Sequence, residues 1–197
     1  MPTTRAELSG SVEGGLAADL ARGFADRPRV EISAAEVRPV EPFLERLDPA
    51  TATALAGFDR RVRSGTMPQF LDIYDWSYGF GFAANDCGLL DSDYHTELTD
   101  DDVYTIGADG GGNLYTVLTD GQVAIWFHEE EVLEGGTRFD DLETFLWSLV
   151  RYHAVRAGRL DPEPIAADFR ALGQDGALAP ELGLLASLRP FRNAGSR

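Results

Sequence analysis

The stretch Ile106-Gly107-Ala108-Asp109-Gly110-Gly111-Gly112-Asn113 decides how this chain is read, together with the two short apolar runs that follow it, residues 114–118 and 122–127. Those runs have strand length and are bounded by turn residues, so both read as strands. Thr119-Asp120-Gly121 between them is a hairpin turn with glycine in the expected place. Upstream, residues 103–106 read as another strand. Asp109-Gly110-Gly111-Gly112-Asn113 then forms a turn or bulge that demands positive φ angles. Residues 128–131 leave the sheet.

Outward from this unit, residues 139–157 form the clearest helix. Leu142, Phe145, Leu146, Leu149 and Val150 make one broad apolar face at helical spacing. Asp140 and Glu143 have capping-box spacing, and Asp141 adds favourable N-terminal charge. Arg151, Arg156 and Arg159 lie at or past its C-terminal end, where Gly158 is a natural terminator. A short helix is expected over residues 165–172 and another around residues 182–188. On the N-terminal side a helix is expected over residues 49–63, with Asp48 as N-cap, Pro49 at the first position and Gly65 beyond the end. Residues 16–24 read as a short helix, and the chain around Val30 and Ile32 as extended. Trp76, Tyr78, Phe80 and Phe82 alternate with Ser77, Gly79 and Gly81, which is strand spacing. Core or edge packing explains this aromatic run better than a ligand-stacking platform does.

Charge is distributed very unevenly. Residues 85–144 hold 16 acidic residues and one Arg, a net of −15, whereas the whole chain of 197 residues has a net charge of −16. All 17 basic residues are Arg, a bias that reflects the codons of a GC-rich bacterial genome more than function. Such an acidic chain is a poor ligand for nucleic acid, because phosphate contacts need Lys and Arg. It is equally unsuited to an anionic membrane surface. No apolar run approaches the roughly 18 residues of a membrane span, and the first residues lack the apolar core of a secretory signal, so the expected location is the cytoplasm. The single cysteine, Cys87, forms no internal disulfide and no thiolate metal cluster.

Familiar chemical motifs fail on inspection. Gly110-Gly111-Gly112 is not a phosphate loop: the chain has no Lys, and the glycines lead into a strand instead of a helix. Asp91-x-Asp93-x-His95 starts like a calcium loop, but the sixth position is Thr96 where glycine is needed, and the twelfth is Asp102. His128-Glu129-Glu130-Glu131 lacks the second histidine of a metalloprotease helix. No Gly-x-Ser-x-Gly elbow is present. The reading is therefore of a non-enzymatic protein, with no cofactor and no metal site.

The run from Ile106 to Tyr115, then Asp120-Gly121-Gln122-Val123, then His128, resembles the SUKH superfamily, a group related to a yeast cell-wall assembly regulator and common among bacterial immunity proteins. In those domains an Ile-Gly-x-Asp-Gly-x-Gly-(Asn/Asp) turn leads into a hairpin, then an acidic stretch, then an amphipathic helix. Phe139-Asp140-Asp141-Leu142-Glu143-Thr144-Phe145-Leu146 matches the last element. The resemblance spans about residues 67–155. It implies an α+β fold, a twisted and mostly antiparallel sheet with helices packed on it. It divides the chain into an N-terminal extension (1–45, either part of the domain or separate), a SUKH-like domain (46–158) and a C-terminal helical extension (159–197). It also implies binding: an immunity protein that neutralises a toxin, often a nuclease. The expected contacts are Asp100, Asp101, Asp102 and Asp109 on the strand-entry side, and Glu129, Glu130, Glu131 and Glu134 after the hairpin, both near one end of the sheet. The expected partner is a basic protein, with the oligomeric state left open. Two other readings stay open, a regulatory or scaffold protein of the same fold and, less favoured, a metal-dependent enzyme.

Overall fold

In the computed structural model, residues 4–8, 10–12, 14–31, 38–71, 79–85, 102–129, 132–133 and 139–172 are described. Their sheet is a meander. Strands β1 (Phe80–Phe82), β2 (Val103–Asp109), β3 (Leu114–Leu118), β4 (Val123–Phe127) and β5 (Val132–Leu133) are neighbours in chain order, each pair antiparallel. The β3–β4 hairpin closes as the sequence predicts. Gly121 sits at φ +85°, and Leu118 N–H donates to the Gln122 carbonyl at 2.9 Å. With helices α1 (Arg5–Leu8), α2 (Gly15–Phe24), α3 (Glu41–Leu44), α4 (Pro49–Arg63), α5 (Leu142–Arg156) and α6 (Pro162–Ala171), the architecture is α+β.

Alternation of side chains gives the sheet two apolar faces. Tyr104, Ile106, Tyr115, Val117, Val123 and Ile125 share one core with the helices. Val103, Leu118, Ala124 and Trp126 make a second, smaller cluster. Phe145 of α5 centres the main core, with its ring 4.9 Å from Phe139, 5.5 Å from Tyr115 and 5.9 Å from Phe80. Mostly tilted or edge-on contacts of this kind suit the ring quadrupoles. Phe80 and Phe82, from the aromatic run, are thus packing residues; Trp76 and Tyr78 lie outside the described residues. The chain flanks feed the same core. Leu16, Leu20 and Phe24 of α2 belong to it, as do Ile165 and Phe169 of α6.

Helix α4 starts as expected: the Asp48 carboxylate accepts from Ala50 N at 2.9 Å and Thr51 N at 3.2 Å. Helix α5 starts later than the expected residue 139. Phe139 exchanges two backbone hydrogen bonds with Val123, at 2.8 and 3.0 Å, which holds it extended against β4. The cap is therefore Asp141, whose carboxylate accepts from Thr144 N at 2.6 Å, not Asp140. Helix α6 starts three residues early, at Pro162, because Asp161 caps it through Glu163 N. Strand β2 runs on to Asp109 through a register shift between Thr105 and Gly107 that leaves Ile106 as the extra residue. The expected helix at residues 182–188 and residues 91–101 of the calcium-like loop lie outside the described residues.

Candidate functional site

Asp109 is a contact residue in the sequence reading, yet its carboxylate is engaged by its own turn. One oxygen accepts from Gly111 N at 2.8 Å and Asn113 N at 3.0 Å, and the other accepts from Asn113 Nδ2 at 3.0 Å. Gly112 sits at φ +94°, the conformation the sequence demanded here. The Asn113 side-chain oxygen lies 3.1 Å from Nδ1 of His128 at the exit of β4. The Asp-Gly-Gly-Gly-Asn run is thus a self-closing turn clasped to the exit of β4, and Asp109 serves the fold first.

Antiparallel pairing separates residues that the sequence reading placed together. Asp109 ends β2 and exposed Glu129 follows β4; pairing of Leu114 with Trp126 puts both at one end of the sheet. Asp102 precedes β2 at the other end, where Val103 pairs with Leu118. A strand of this length holds the two ends about 20 Å apart. The strand-entry group is therefore itself divided: Asp109 shares an end with Glu129, and Asp102 does not. Asp100, Asp101, Glu130, Glu131 and Glu134 lie outside the described residues.

The end that carries Asp102 is the hairpin end, and register brings other carboxylates to it. Asp120 lies in the β3–β4 turn, where it accepts from Gln122 N at 3.0 Å. The Val123–Phe139 bridge sets Asp140 beside Gln122 and leads directly into Asp141. Asp120 and Asp140 are exposed; Asp102 is half-exposed and faces Arg46 at 3.8 Å, a weak pairing in solvent. Alongside is a pocket of about 210 Å³, between Ala50, Thr51 and Ala54 of α4 and Asp141, Leu142 and Glu143 at the start of α5. Burial pushes the Glu143 carboxyl above its usual range. The Val12 N–H, 3.4 Å away, opposes the shift, and the charge of Asp141 adds to it. A carboxyl whose charged form burial disfavours gains from a cation brought beside it.

The chain matches no protein-family model, no curated protein and no solved structure.

A second polar cluster is structural. Asp59 of α4 accepts from the Tyr104 hydroxyl of β2 and from Arg63 Nε at 2.7 and 2.8 Å, while Arg63 Nη2 donates to the Arg38 carbonyl at 2.6 Å. Burial, then the hydrogen bond to Asp59 and its charge, pushes the Tyr104 hydroxyl well above the usual tyrosine range, so it stays a donor. The partners are 45 residues apart in sequence, and no motif announces them. Among the described residues, no group of three His, Cys, Asp or Glu side chains is arranged to hold a metal ion, and no helix is long and apolar enough to cross a membrane. The hairpin end offers binding chemistry: exposed carboxylates beside a small pocket whose own carboxylates are partly desolvated.

Proposed function

We propose that this protein is a binding module that takes a basic protein partner at the hairpin end of its sheet. The convergence of Asp102, Asp120 and Asp140 beside the pocket holding Asp141 and Glu143 carries this reading. Arg or Lys side chains of the partner fit the exposed carboxylates, and one fits the pocket. Such complementarity accelerates encounter and makes binding salt-sensitive. The resemblance of residues 106–123 to SUKH domains supports a sharper form: the partner is a toxin, and the module blocks it sterically and electrostatically. A nuclease suits this role, because its substrate phosphates require the basic surface that carboxylates complement.

The test is capture on the immobilised protein at low salt, followed by titration of the captured protein across ionic strength. A basic protein whose affinity falls as salt rises supports the proposal. A neutral partner whose binding ignores salt contradicts it and favours a regulatory scaffold.

A further inference from the structure

The first turn of α5 borders the acidic pocket, but the second half of the same helix borders a cavity of opposite character. This cavity, of about 320 Å³, lies between α2, α5, the α5–α6 turn and α6. That volume falls within the range of small-molecule sites. Its apolar wall includes Val150, Ala154 and Ile165, all buried in the core yet bordering the space. Its charged residues are Arg22, Arg151 and Arg159 against one carboxylate, Asp19. Three guanidiniums around one cavity run against the charge of a chain whose net is −16.

Arg151 is fixed in place. Its Nη1 lies 2.9 Å from an Asp19 oxygen, and its guanidinium carbon lies 4.1 Å from the Trp147 ring centre. Burial pulls Arg151 below the usual arginine range, and the Asp19 charge opposes that without cancelling it; the Asp168 charge also favours the cation, and Arg22 disfavours it. Arg22 and Arg159 stand at the rim. Arg22 is 74% exposed and 3.9 Å from Asp19, and Arg159 is 3.5 Å from exposed Asp26. Planar guanidiniums of this kind suit bidentate recognition of carboxylate or phosphate.

Gly23 supplies the second, independent feature. It lies within α2 and lines the cavity, and its backbone does not need a positive φ. A Cβ added there would meet nothing within 4 Å. Alanine would make the better helix. What glycine contributes is space in the cavity wall.

We propose that this cavity binds a small organic anion with an apolar body, a carboxylate or a phosphate monoester, with Arg151 and the rim arginines on the anionic head and Val150, Ala154 and Ile165 against the tail. This site is separate from the acidic surface, so its success or failure leaves the binding-module reading untouched. The test is calorimetric titration of the full chain with octanoate, octyl phosphate and octanol. The expected result is one saturable site for at least one anion, on the order of tenfold tighter than octanol. Binding falls severalfold in Arg22→Gln/Arg159→Gln and is lost in Gly23→Leu, with the circular-dichroism melt preserved. Octanoate binding without octyl phosphate binding assigns a carboxylate, and the reverse assigns a phosphate. No binding of either anion at millimolar concentration overturns the proposal, as does octanol binding equally well, or unchanged binding in folded Gly23→Leu. Should Gly23→Leu unfold, the rim double variant decides alone, since Arg22 is exposed: unchanged anion affinity there overturns the proposal.

Discussion

The ring of Phe80 occupies the space into which a side chain on Gly107 would project. Gly107 is the glycine of the Ile-Gly-x-Asp turn motif, and Phe80 belongs to the aromatic run upstream. Their contact joins two stretches that sequence reading treats separately. An added methyl would meet both the Phe80 ring and the Gly81 carbonyl, and backbone cannot step aside cheaply. Overpacking of this kind costs about 1–3 kcal/mol, and Gly107→Ala belongs at the upper end. Urea denaturation should show the loss, and an unchanged midpoint would refute this role for Gly107.

Asp109 carries the turn through three accepted hydrogen bonds. Asp109→Ala should destabilise the protein by about 2–3 kcal/mol, and Asp109→Asn, which retains one acceptor oxygen, by roughly half as much. Neither should change affinity for the basic partner in protein that remains folded. A stable Asp109→Ala protein with weakened partner binding would make Asp109 a contact residue after all.

The Asp59 cluster should be more sensitive to loss of its acceptor than of a donor. Asp59→Ala leaves Arg63 Nε and the buried Tyr104 hydroxyl unpaired, at a cost of about 3 kcal/mol or more, whereas Tyr104→Phe removes one neutral donor for about 1 kcal/mol. Chemical denaturation of both variants checks the order. A costlier Tyr104→Phe would contradict it.

His153 gives stability a pH dependence of definite sign. Burial, then the charge of Arg156, lowers its imidazole from 6.5 to about 3. Between those values the unfolded chain holds a proton that the folded chain does not. Its contribution is therefore present above pH 6.5 and lost as pH falls toward 3, with a slope of up to about 1.4 kcal/mol per pH unit. Glu143, raised by burial, acts oppositely: its contribution is favourable below its unfolded value and lost as pH rises through its folded value. The difference between wild type and His153→Leu isolates the histidine. Parallel stability curves between pH 4 and 6.5 would show that His153 titrates normally in the folded state.

Local signals made much of this fold legible. Asp48-Pro49 and the apolar spacing after it located α4, and Thr119-Asp120-Gly121 located the hairpin, because caps and tight turns are written in adjacent residues. Long-range relations were not legible. Phe139 has helical spacing with Leu142 and Leu146, yet backbone pairing with Val123 keeps it out of α5. The Asp59–Tyr104 bond has no local signature. Charge counting found the acidic window but not which of its residues are neighbours; that required strand direction, which parts Asp102 from Asp109 and joins it to Asp120 and Asp140.

The most direct test of the binding account compares two charge-neutralised variants against the captured basic partner. One is Asp102→Asn/Asp120→Asn/Asp140→Asn at the hairpin end, and the other is Glu129→Gln at the opposite end. Binding should weaken on the order of tenfold or more in the triple variant, with a shallower salt dependence, and remain near wild type in Glu129→Gln. Equal affinity of wild type and a folded triple variant would contradict the assignment of the hairpin end as the contact surface.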